Sequence, residues 1–311
     1  MKVVHGFDVP DLKMDKSVLC VGNFDGVHRG HQQLLAQGAM FAAHDNAPLV
    51  VVTFEPHPLA ILRPRSVPHK LMRLDDKLDL LAQQDVDVTV VAETTPRLLG
   101  MEPEQFVETL VEKFHPTHFV EGSTFGFGRG RKGNPATLRA LGGRLRFETC
   151  IIDPVQFTLE GDRTVTVSSS VIRSLLGEGK VHLAALSLGR PYSITGTVVA
   201  GAGRGKGMGL PTANVGGIET FLPADGVYAG SARVGRCESL AGISIGRSPT
   251  FGGQTRKLEA HLLDFQDDVV GQSIRIEFDR WLRPQCKFDS PEALAAQIKR
   301  DLQAVVDNNV E

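Results

Sequence analysis

Two histidines, His28 and His31, bracket Gly30 in the run Val21-Gly22-Asn23-Phe24-Asp25-Gly26-Val27-His28-Arg29-Gly30-His31. At the start of a helix, residues three apart lie on the same side of one turn. Gly30 removes a side chain where a ligand must come close, and a helix N-terminus offers unpaired N–H groups at a positive dipole end. That combination suits the phosphates of a nucleoside triphosphate. A surface loop that happens to hold two histidines would read the same in isolation. The apolar strand before it (Ser17 to Val21), the glycine-punctuated turn and the helical pattern from Gly30 to Ala43 favour phosphate binding.

Other segments carry weaker signals of the same kind. Thr53-Phe54-Glu55-Pro56-His57-Pro58 ends an apolar run, and its prolines stiffen the loop that follows. Glu121 to Gly133 contains Gly122, Gly126, Gly128 and Gly130 together with Phe125 and Phe127. Those rings suit an aromatic ligand or a core equally. Ser168-Ser169-Ser170-Val171-Ile172-Arg173 sets hydroxyls at a helix start beside an arginine; alone it reads as an N-cap and a surface charge. Gly201 to Gly209, with Gly203, Gly205, Lys206 and Gly207, is a flexible or phosphate-cradling loop, but not a Walker loop. Pro211-Thr212-Ala213-Asn214 alone reads as a turn. On a strand, Glu259 and His261 share one face, which by itself is commonly just solvent-facing.

The elements that must position these residues divide into two groups. Strand-like runs at 17–21, 49–54, 86–91, 118–121 and 145–152 alternate with helical spacing at 30–43, 74–84 and 103–114, which predicts a doubly wound parallel sheet. Ligands then sit at the carboxyl ends of the strands, where three of the segments fall: after Val21, Phe54 and Val120. From about residue 155 the pattern changes. A hairpin is expected over 155–167 around Glu160-Gly161-Asp162, a serine-capped helix over 168–176 and a helix over 181–188. Tyr192 to Asp279 is β-rich, with strand candidates at 194–200, 226–234, 240–245, 258–265 and 273–278, which suggests a compact barrel. Ser290 to Val306 closes the chain as a helix with Pro291 in its first turn. Gly189 and Pro191 interrupt periodicity between the groups. The fold class is therefore α/β, with an N-terminal parallel-sheet domain over 1–187 and a small β-barrel domain with a C-terminal helix over 188–311.

At 311 residues the chain is long enough for two cores. Its 34 basic and 36 acidic side chains leave a net charge of −2, with no overall drive towards nucleic acid or membrane. A local basic run (Arg129, Arg131, Lys132, Arg139, Arg144, Arg146) reads equally as solvated surface or as a phosphate attractor. Neither a signal-peptide core in the first residues nor an apolar run of membrane-spanning length is present. The four cysteines are scattered, without metal spacing. A cytoplasmic location and small-molecule partners, not nucleic acid or membrane, are expected.

From about Val18 to Asp301 these motifs, in this order, resemble the bacterial bifunctional riboflavin kinase/FMN adenylyltransferase family. The GNFDGVHRGH wording carries the resemblance in the first half. PTAN after the glycine run, Leu222-Pro223-Ala224-Asp225-Gly226-Val227-Tyr228 and Leu258-Glu259-Ala260-His261-Leu262-Leu263-Asp264-Phe265 carry it in the second. The resemblance implies ATP, riboflavin and FMN as substrates and Mg²⁺ as cofactor. It implies His28 and His31 as catalytic groups of AMP transfer. Nucleotide or flavin contacts would come from Gly22, Asn23, Phe24, Asp25, Gly26, Pro56, His57, Pro58, Thr124, Phe125, Phe127, Arg129, Ser169, Ser170 and Arg173. In the kinase half it implies Glu259 as the general base, Thr212 and Asn214 as metal ligands, and Gly203, Lys206, Gly207 and Arg283 as further contacts. The chain departs from the family pattern at Thr124 (usually Asp or Asn), Ser244 (usually Asn), Val270 (often Tyr) and Gln285 (usually acidic). A relative with one active half, a flavin sensor without turnover, and AMP transfer to another phosphate compound are the rival readings.

Overall fold

Apolar, β-branched runs buried on both faces are what a parallel sheet covered by helices requires, and Ser17–Val21 (β2) and Leu49–Glu55 (β3) supply its centre. In this computed structural model, which describes residues 1–7, 14–159, 163–200, 212–250, 253–263 and 269–307, they join Lys2–His5 (β1), Val88–Glu93 (β4), Pro116–Gly122 (β5) and Glu148–Ile152 (β6). The sheet order is β1-β4-β3-β2-β5-β6, parallel throughout. From β2 the chain first builds outwards through β3 and β4, then returns to the other side of β2 as β5. The switch point therefore lies between the carboxyl ends of β2 and β5, the expected ligand crevice of such a sheet.

Helices Arg29–Asp45 (α1), Pro58–Leu62 (α2), Leu74–Ala82 (α3), Pro96–Leu99 (α4), Pro103–Phe114 (α5) and Pro135–Leu145 (α6) connect the strands. Phe106, Val107, Leu110 and Phe114 of α5 bury an i, i+1, i+4, i+8 stripe on the sheet. Gln156–Leu159 (β7) and Arg163–Thr166 (β8) form the expected hairpin; its turn at Glu160-Gly161-Asp162 lies outside the described residues.

Ser169–Gly177 (α7) and Val181–Leu188 (α8) precede the barrel. Strands Tyr192–Val199 (β9), Thr212–Gly216 (β10), Gly226–Val234 (β11), Cys237–Thr250 (β12), Gly253–Leu262 (β13) and Ser273–Arg283 (β14) close in the order β10-β13-β12-β11-β14-β9. Ile194, Ala213, Val215, Tyr228, Ile243, Leu258, Ala260, Ile276 and Phe278 fill it at alternate positions. Pro291–Asp307 (α9) packs on β11 and β12.

By packing, the chain forms two compact units, residues 1–69 with 74–167, and residues 70–73 with 168–311. The motif-based division at 187/188 differs from this in the placement of residues 70–73 and of α7 and α8. Glycine explains part of the difference: Gly179 lies so close to the Trp281 ring that a Cβ there would sit 2.6 Å from it. Val181, Ala184 and Leu188 of α8 are buried in the same unit.

Candidate active sites

The loop from Gly22 to His28 is held in an unusual backbone. Phe24 and Val27 have φ of 47° and 36°, with Gly26 at 88° between them. A positive φ in a buried β-branched residue is strained and persists only where the surroundings impose it. Here Gln32 Nε2 on α1 donates to the Val27 carbonyl at 2.8 Å, and the Val27 N–H donates to the Phe24 carbonyl at 3.1 Å. The loop delivers His28 as the N-cap of α1, its Nδ1 accepting the His31 N–H at 3.4 Å. Nδ1 therefore carries no proton, and the His28 donor is Nε2–H. The His28 and His31 rings stack at 3.6 Å between centroids and 14° between planes. A Cβ on residue 30 would lie 3.3 Å from the His28 ring. Gly30 thus makes room for that ring, a contact that spacing alone did not show.

At the switch point the β2–β5 ladder pairs Ser17, Val18 and Leu19 with Pro116, His118 and Phe119. Two residues on, the Val21 N–H donates instead to the Glu121 side chain, Oε1, at 2.7 Å. Glu121 is 1 % exposed. Burial pushes its carboxyl well above the usual range, against the lowering effect of the Val21 N–H.

The segment after β3 closes on the same loop. His57 caps α2, its Nδ1 accepting the Leu59 N–H at 3.1 Å. The ring proton is then on Nε2, which lies 3.2 Å from the Asn23 side-chain amide. With that tautomer the contact is a hydrogen bond when the amide is assigned with its oxygen towards Nε2. Pro56 and Pro58 flank His57, and Asp25 is buried in the opposing loop.

After β5, Phe127 enters the core against Phe106, at 6.1 Å, while Phe125 stacks on it at 5.2 Å and is partly buried. Phe127 and Gly133 exchange backbone hydrogen bonds of 3.1 and 3.0 Å, closing a loop that only glycine at 133 permits, since a Cβ there would sit 2.6 Å from the Phe127 ring. Arg129 Nε pairs with Glu102 at 2.8 Å, Lys132 reaches the same carboxylate at 3.6 Å, and Arg131 donates to the Thr124 carbonyl at 3.1 Å. Arg144 pairs with Glu108 at 2.9 Å. Much of the basic run is thus engaged with acidic neighbours.

Ser168 caps α7 through its Oγ, which accepts the Val171 N–H at 3.3 Å. Ser169, Ser170 and Arg173 follow on its first turns, in the second compact unit.

In the barrel, β10 and β13 pair antiparallel, with Thr212 opposite His261 and Asn214 opposite Glu259. Alternation sends Ala213, Val215, Leu258 and Ala260 inwards and these four polar side chains outwards. Thr212 Oγ1 lies 2.9 Å from His261 Nδ1. Burial lowers the His261 pKa, with Asp301 acting in the opposite sense. Two neutral oxygens and a carboxylate on one face suit a hard cation that also binds phosphate and water. Among the described residues no three His, Cys, Asp or Glu side chains are grouped to hold a metal.

Arg256, absent from the sequence expectations, ties the neighbouring loop. Its Nε donates to Asp225 at 2.6 Å and its Nη1 to the Leu222 carbonyl at 3.2 Å; Nη2 donates to the Pro223 carbonyl. Arg283 is held by Asp301 of α9 through bonds of 3.0 and 2.6 Å, a bidentate pair that fixes α9 to β14. Gly203, Lys206 and Gly207 lie outside the described residues.

Fold and site together define a two-part transferase: a parallel sheet with a histidine-headed helix at its switch point, and a barrel with a Thr/Asn/Glu face. Family models for FAD synthetase and riboflavin kinase match residues 11–170 and 188–308. Proteins named bifunctional riboflavin kinase/FMN adenylyltransferase from Haemophilus influenzae, Escherichia coli and Bacillus subtilis are each 35 % identical. The matches cover 97, 97 and 98 % of this chain and 97, 96 and 96 % of theirs. A crystal structure titled macrolide-efflux protein from Streptococcus pneumoniae superposes with a TM-score of 0.88 at 28 % identity, covering 98 % of this chain and 99 % of that one. The chain belongs to the bifunctional riboflavin kinase/FMN adenylyltransferase family. No helix among the described residues is long and apolar enough to cross a membrane.

Proposed function

We propose that the residues assembled above divide two consecutive reactions between them. As a member of its family the chain is a riboflavin kinase and FMN adenylyltransferase: riboflavin and ATP give FMN, and FMN with a second ATP gives FAD and pyrophosphate.

In the first reaction the Glu259 carboxylate accepts the proton of the riboflavin 5′-hydroxyl as that oxygen attacks the γ-phosphorus. Thr212 and Asn214 would hold Mg²⁺, whose chemistry is to neutralise charge on the phosphate oxygens. His261 Nδ1 holds the Thr212 hydroxyl at 2.9 Å, and Arg256 ties the 222–225 loop.

In the second reaction the FMN phosphate is already anionic and needs no base. Its oxygen attacks the α-phosphorus of ATP, and pyrophosphate leaves. His28 Nε2–H and the His31 ring stabilise charge on the phosphate oxygens from the head of α1. Asn23, His57 and the Phe125 ring face the flavin nucleotide.

The observation that carries this reading is the pairing of β10 with β13, which sets Asn214 opposite Glu259 on the barrel exterior. The test is to incubate the protein with riboflavin, ATP and Mg²⁺ and separate riboflavin, FMN and FAD by chromatography. Sequential appearance of FMN and FAD is expected. Accumulation of FMN alone would leave one active half, and no turnover would leave a flavin-binding protein.

A further inference from the structure

A lysine of α3 that no motif contains is buried at the point where two site segments meet. Lys77 is 6 % exposed and shares the inward face of α3 with Leu81. Its Nζ donates to the Asn23 main-chain carbonyl at 2.9 Å and to Thr53 Oγ1 at 3.3 Å, and Thr53 Oγ1 donates to the same carbonyl at 3.2 Å. Burying an amine is costly unless strong acceptors receive it, and a leucine or methionine would fill this position without that cost. These acceptors belong to the β2–α1 loop and to the residue that begins the Thr53–Pro58 segment. Asn23 then reaches His57 through its side chain.

We propose that Lys77 is a positioning residue for AMP transfer, tying the β2–α1 loop to the end of β3 so that Asn23 orients His57 in the FMN–ATP site. The Asn23 carbonyl, pinned by two donors, cannot rotate with the strained loop, and its amide stays in register with His57 Nε2. This inference rests on the adenylyltransferase reading of the N-terminal half.

The test uses the full-length protein and a double-mutant cycle. Lys77→Met keeps the stem and removes the ammonium. FAD formation from supplied FMN should fall about 10- to 100-fold, the range for a charged hydrogen bond, with FMN formation from riboflavin within about twofold of wild type. In a His57→Ala background the same substitution should cost at least about threefold less, because coupled residues are not additive. If Lys77→Met unfolds, Thr53→Val, which removes only the shared hydroxyl, goes through the same cycle, with a smaller effect of the same coupling expected. Wild-type rates of FAD synthesis in Lys77→Met, or full additivity with His57→Ala, would overturn the proposal. Absence of FAD synthesis in the wild type would instead overturn the reading on which it rests.

Discussion

Ser244 and Gln285, two positions at which the chain departs from its family's pattern, are hydrogen-bonded to each other: Gln285 Nε2 donates to Ser244 Oγ at 2.9 Å. The same amide reaches the Ile245 carbonyl at 3.0 Å and the Gly226 carbonyl at 3.3 Å. Ser244 is also the cross-strand partner of Glu259. The two departures therefore form one local arrangement beside the proposed base. Gln285→Glu should destabilise the barrel by about 1 kcal/mol, since it turns a carboxylate towards two carbonyls and removes their donor. Ser244→Ala should cost less, because both carbonyls keep the amide. Thermal denaturation of the two variants checks the order.

The two histidines should separate in their side effects. His28→Ala and His31→Ala should each slow FAD formation by an amount equivalent to about 2.7–4 kcal/mol, as for loss of an oxyanion-hole donor. His28→Ala should also lower the melting temperature, because His28 caps α1. His28→Asn keeps a capping acceptor and should restore stability without restoring rate. Calorimetry beside the FAD assay decides this.

Glu121 makes stability depend on pH in a defined direction. A carboxyl with a raised native pKa lowers stability as pH climbs above its unfolded value of 4.5. Glu121→Gln keeps an acceptor for the Val21 N–H and should be more stable than wild type at pH 7. That advantage should shrink to nothing as pH falls below about 4.5. Glu121→Val should cost about 1–3 kcal/mol by orphaning the Val21 N–H. Urea unfolding across this pH range checks both signs.

A fragment beginning at Ser168 should phosphorylate riboflavin and be more stable than one beginning at Tyr192. The longer fragment retains α8, whose Val181 and Leu188 are buried; two such side chains contribute about 3–6 kcal/mol. Equal stability of the fragments would contradict the placement of α7 and α8 with the barrel.

The central strands were legible because full burial leaves an unbroken apolar run: Ser17–Val21 and Leu49–Glu55 needed no tertiary information. β10 carries no clear strand signal in the sequence. Thr212 to Gly216 is short and follows a glycine run, although Ala213 and Val215 alternate with Thr212 and Asn214 as an exposed-face strand must. β1 is not legible in the sequence, because its four residues are ordered by pairing with β4. The motifs single out His28, His31, His57, Thr212, Asn214 and Glu259 as expected site residues. Lys77, Arg256 and Glu121 went unassigned because a charged residue in a helix or strand reads as surface until its carbonyl or N–H partners, distant in sequence, are known. Arg283 carried a ligand expectation, and the structure shows it bonded to Asp301, a partner that spacing could not reveal.

We assign AMP transfer to His28 and His31 at the head of α1, and phosphorylation of riboflavin to Glu259 on the β10–β13 face. The most direct test assays Glu259→Gln and His31→Ala in parallel, with riboflavin and FMN as separate substrates. Glu259→Gln deletes the proton acceptor at constant size. It should slow FMN formation by about 10²- to 10⁴-fold and leave FAD formation from FMN within about twofold; His31→Ala should show the reverse. If Glu259→Gln phosphorylates riboflavin at the wild-type rate, or if each variant slows both reactions equally while folded, the division of labour is contradicted.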